Sequence, residues 1–120
     1  MAYTVDELKD KFGELNIERG LIYCNDDPDF FVDMLKIYLD TEKTGTLEKA
    51  LEDEDVKAYQ LAVHSLKSIS SQIGAMKIAE MAKDLDRAGK AADMDYIKDN
   101  HKKFMNVYAP LIDKLKEQLG

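Results

Sequence analysis

Apolar residues recur at helical spacing from one end of this chain to the other, and no window alternates β-branched with polar residues in the two-residue period of a strand. Only two prolines and six glycines interrupt the pattern, so it predicts an all-α fold. At 120 residues the chain fits one domain spanning 1–120, large enough to bury roughly two-thirds of its unfolded surface. Thr4 and Glu7 have capping-box spacing and open a short helix from Val5 to Leu15, with Leu8, Phe12 and Leu15 on one face. Asn16 can cap a second short helix, Ile17 to Cys24, which Asn25-Asp26-Asp27 ends.

Asp27-Pro28 supplies an N-cap carboxylate and a proline at the first helical position. The long helix that follows turns Phe31, Met34, Leu35 and Tyr38 inward and is expected to resume after Gly45 through Leu47 and Leu51. The acidic run Glu52 to Asp55 caps a helix from Val56 to Ile73 that Gly74 closes. Another helix runs from Met76 to Lys90, with Gly89 at its frayed end, and the last begins near Met94, with a kink expected near Ala109 because Pro110 removes a donor. Four substantial amphipathic helices with short connections pack most simply as an antiparallel up-down four-helix bundle with short additional N-terminal helices.

Charge narrows the function classes. Seventeen basic against 24 acidic residues give a formal charge of −7, which repels phosphate backbones and anionic lipid, so neither nucleic acid nor membrane is the expected partner. The single cysteine, Cys24, has no disulfide partner and reads as a packing residue. The first residues lack a basic segment followed by an apolar run, and no stretch reaches 18 apolar residues, which predicts a cytoplasmic protein; a monomer is expected.

On a helical wheel of the Val56–Ile73 segment, Tyr59, Ala62, Leu66, Ile69 and Ile73 share a stripe roughly 80° wide with Ser70 beside it, the predicted core face. His64 points away from that stripe, with Lys57, Gln60, Lys67, Ser68 and Ser71 within about 60° of it. Solvent-facing histidines usually do nothing, so the neighbours carry the argument. An ordinary imidazole, with a pKa of about 6.5, is largely neutral in the cell and keeps one ring nitrogen free as a nucleophile. Lys67 lies one turn on, where an ammonium neutralises an arriving oxyanion, and Ser68 and Ser71 leave space above the helix. A nucleophile, a cation and a clearing suggest transfer of an anionic group.

The segment Ala62-Val63-His64-Ser65-Leu66-Lys67-Ser68-Ile69-Ser70-Ser71-Gln72-Ile73-Gly74-Ala75 resembles the signature of histidine-containing phosphotransfer (HPt) domains, roughly H-x-L-K-G/S-x-[SA]-x-x-[LI]-G-A. The resemblance extends less sharply over nearly the whole chain. It implies that His64 accepts a phosphoryl group from an aspartyl phosphate or a histidine kinase and passes it to a receiver domain. Lys67 would be the cation beside the phosphoryl group, and Ser68 would hold the small-residue position that many members fill with glycine. Asp86, on the next helix, matches the place of the acidic or amide residue that holds the non-reacting ring nitrogen. Lys57, Gln60, Leu61, Ser68 and Ser71 would form the receiver-docking surface.

No phosphate loop, G-x-G-x-x-G segment or kinase motif is present, so ATP binding and self-phosphorylation are not expected. Mg²⁺ is expected from the partner receiver domain, and no cofactor or metal site of the chain's own is expected. Neither histidine follows a glutamate by three residues, which argues against a di-metal bundle, and the acidic runs lack the spaced ligands of an EF-hand. His101, in the charged stretch Asn100-His101-Lys102-Lys103, reads as a solvated surface residue. The alternative reading of the whole is an HPt-like docking module that binds a receiver or kinase domain without being phosphorylated.

Overall fold

Seven helices make up the computed structural model, which describes residues 2–120: α1 (Val5–Lys11), α2 (Ile17–Ile22), α3 (Pro28–Asp40), α4 (Thr44–Glu52), α5 (Val56–Gln72), α6 (Met76–Lys90) and α7 (Met94–Leu119). The fold is all-α. The interrupted limb α3–α4, then α5, α6 and α7, form the up-down bundle, 45 Å in its longest dimension. Cross-bundle pairs fix the directions: Tyr38 meets Ser70 and Tyr108 at one level, and Tyr59 meets His101 at another.

Predicted caps account for most helix starts. Thr4 and Glu7 form the capping box. Asn16 Oδ1 accepts from Arg19 N, Asp27 Oδ1 from Asp29 N, and Asp55 Oδ1 from Ala58 N. The expected long helix breaks at Thr41–Lys43, before Gly45, and Gly45 lies inside α4. Side chains satisfy the break: Tyr108 Oη accepts from Lys43 N and Glu42 Oε2 from Thr44 N, each at 2.7 Å. α7 runs through Pro110 as one element, because Pro110 sits on the exposed side.

Three corners join the bundle helices with one geometry. Glu54, Gly74 and Ala92 adopt φ of 51°, 80° and 54°. The residue after each donates a 2.8 Å bond back across the helix end, Asp55 to Ala50 O, Ala75 to Ser70 O and Asp93 to Ala88 O. This is the Schellman arrangement, and its last residue is already the N-cap of the next helix. At Gly74 a side chain would also collide with the backbone of Asn16, whose N–H donates to Gly74 O at 2.8 Å. That contact fastens the N-terminal helices to the α5–α6 corner.

One hydrophobic core holds the elements together. Leu8, Phe12, Phe31, Leu35, Tyr59, Ile97, Phe104 and Leu115 are all completely buried in it. Burying side chains of this size stabilises by about 1.5–3 kcal/mol each, before the entropy of ordering them. Cys24 is buried too, and burial, with Asp27 nearby, raises its thiol pKa. No described helix is long and apolar enough to cross a membrane.

Candidate functional site at the α5–α6 seam

The buried arc of α5 is wider than the predicted stripe and turned toward α6. Tyr59, Ala62, Leu66, Ser70 and Ile73 are buried as expected, but so are Val63 and Gln60, whereas Ile69 is only half-buried. Relative to the wheel the core is rotated by about 40°, because α6 packs closely along that flank. Gly89 permits the approach: a Cβ there would stand 2.5 Å from Gln60 Cβ. Gly89 therefore lies within α6 as a contact point and not at a frayed end. His64 consequently sits at the edge of the seam, its side chain 51% exposed, and does not point straight away from the bundle.

Asp86 organises the site from beneath. Its side chain is almost fully buried, and both oxygens are used. Oδ1 accepts from Gln60 Nε2 at 2.7 Å. Oδ2 faces His64 Nδ1 at 3.2 Å, Lys67 Nζ at 3.0 Å and Lys90 Nζ at 3.4 Å. Burial alone would push the carboxyl pKa up, but hydrogen bonds from Gln60, Lys67, His64 and Lys90 outweigh it and hold Asp86 well below the usual carboxylate range. Ionised, the carboxylate only accepts, so His64 Nδ1 donates, and in a neutral ring the lone pair is then the one on Nε2. The ring is thus backed by an anion that two ammonium groups also approach.

The other predicted site residues divide. Lys57, Leu61 and Ser68 are exposed near His64 along α5, Leu61 to 52%. Gln60 is not part of an open surface: it is 7% exposed and its amide is committed to Asp86. Ser71 is half-buried, and its Oγ accepts from Arg19 Nη2 of α2 at 2.9 Å. His101 is likewise not a solvated residue; it is half-buried and paired with Tyr59.

Sequence reasoning missed Lys90, although its place one turn after Asp86 was a usable signal. It also missed that α2 reaches α5 through Arg19, which bonds Ser71 and lies over the ring of Tyr23. No separate motif announced that contact.

In comparisons with known proteins, none of the curated proteins and none of the solved structures matches the chain. A family model does: the one described as Hpt domain matches residues 33–119, from within α3 to the end of α7, and so covers every side chain of the Asp86 cluster. The four-helix architecture and the histidine at the seam agree with that match, and the chain belongs to the Hpt domain family, the histidine phosphotransfer modules of phosphorelays.

Proposed function

We propose that the chain relays a phosphoryl group between signalling partners through His64. Nε2 attacks the phosphorus of an aspartyl phosphate on a receiver domain. The N–P bond forms as the P–O bond to the aspartate breaks, and the aspartate leaves as a carboxylate. The reverse step delivers the group to a second receiver, and a histidine kinase is an equally suitable donor. Transfer of this kind depends on alignment and charge neutralisation more than on new covalent machinery.

Asp86 would keep the proton on Nδ1 before attack and balance the positive ring that phosphorylation creates. Lys67 and Lys90 would meet the phosphoryl oxygens from the seam side. Lys57, Leu61 and Ser68 would contact the receiver, with Leu61 supplying apolar area. Mg²⁺ and any ATP chemistry would come with the partners, and a cytoplasmic, monomeric shuttle fits this role.

The observation that carries the reading is the 3.2 Å pairing of His64 Nδ1 with the buried Asp86 carboxylate on a half-exposed ring. The test is incubation with a phosphorylated receiver domain. Label is expected on the wild-type chain as an acid-labile, base-stable adduct, and none on His64→Gln. Binding to the receiver without label on the wild-type chain would overturn the relay in favour of a docking module.

A further inference from the structure

Among the described residues, and tyrosines apart, three polar or charged side chains are buried, Gln60, Ser70 and Asp86, and two of them bond to each other. The Gln60 amide makes the shortest contact to the Asp86 carboxylate, 2.7 Å to Oδ1, while the other three groups share Oδ2 at 3.0–3.4 Å. An ionised carboxylate has no proton to give, so the amide presents its nitrogen and acts as a donor. Packing holds Gln60 in turn, since its Cβ and Cγ occupy the space beside Gly89 where α6 comes closest.

We propose that Gln60 is a positioning residue for His64, acting through Asp86. The terminal torsion of an aspartate is broad and roughly two-fold. Two of the groups on Oδ2 are lysines with flexible, partly exposed stems, which are poor anchors for a carboxylate plane. Gln60 is the only rigid, buried partner. By fixing Oδ1 it keeps Oδ2 turned to Nδ1, and so keeps the ring proton on Nδ1 and the lone pair on Nε2. Free neutral histidine in water prefers the opposite tautomer, with the proton on Nε2. Losing the clamp therefore moves the proton onto the nitrogen that must attack.

The effect on transfer rests on the proposed role of His64, but the tautomer can be read without any phosphoryl donor. Gln60→Met keeps the length and the packing on Gly89 while removing the donor. Gln60→Asn keeps an amide but withdraws it by one methylene, and serves if the first variant does not fold. Nitrogen-15 NMR of the full chain carrying labelled histidine, at about pH 8 where an ordinary imidazole is neutral, should show the Nδ1–H form dominant in the wild type. In either variant the Nε2–H form should become dominant, and phosphorylation should slow about tenfold. A His64 ring that stays Nδ1–H in a folded variant overturns the proposal. Wild-type Nδ1–H with loss in the variants supports it even if no receiver labels the chain, an outcome that would count against the relay alone.

Discussion

The hydroxyl of Tyr59 lies 2.8 Å from Nδ1 of His101, with the two rings in an edge-to-face contact at 5.6 Å between centroids. Tyr59 is completely buried, and burial raises its pKa, so the phenol keeps its proton beside the ring. Burial also pushes His101 below its ordinary value, with Glu48 opposing the shift in part. The folded protein thus binds fewer protons at this site than the unfolded chain between the two pKa values. Stability rises with pH across that window and falls on acidification below about pH 6.5. Melting temperature measured from about pH 8 to pH 5 should decline for the wild type and decline less for His101→Phe, which keeps the ring contact without the titration. Equal slopes would show that another group governs this range.

His64 contributes little to the fold, since half of its side chain is in solvent and the Asp86 oxygen it bonds is shared with two lysines. His64→Gln should unfold within about 0.5 kcal/mol of the wild type in urea, because an amide can still donate to Asp86. A larger loss would mean that the ring is structural, and its effect on labelling would then need a separate explanation.

Lys67 and Lys90 approach the same oxygen of Asp86, so each can partly replace the other. Lys67→Ala should slow phosphorylation by no more than about fivefold, the range of a partly exposed ion pair, and Lys90→Ala by less. Together the substitutions should cost more than the product of the single effects, as expected for residues with a common partner. Rates from a double-mutant cycle that simply multiply would separate the two lysines functionally.

The corner residues offer opposite predictions at equivalent positions. Gly74→Ala should destabilise by more than about 2 kcal/mol, since it adds left-handed strain to a collision with the Asn16 backbone. Ala92→Gly should stabilise by a few tenths to about 1 kcal/mol, because it relieves the same strain at φ 54° and gives back only part of the gain as chain entropy. Chemical denaturation checks both signs.

What the sequence disclosed depended on whether a signal was local. Caps at Thr4, Asn16, Asp27 and Asp55 are local chemistry between near neighbours, and all were legible. His64 was legible from its motif and its distance from the apolar stripe. The direction of α6 was not, because a wheel treats α5 alone, and the depth of Gln60 is set by Gly89 on another helix. His101 lay in a run of charged residues and gave no hint of Tyr59, 42 positions earlier. The break in the α3–α4 limb escaped for a similar reason: Tyr108, 65 residues away, satisfies the freed N–H of Lys43.

The three corners share one further property. Each residue that finishes one rod also starts the next, so the chain holds no slack between rods, and lengthening a corner would detach a stop from the start built onto it. On the proposed reading, a visiting protein would therefore meet a preset relief at the seam, and recognition would proceed by fit without first ordering the surface it touches.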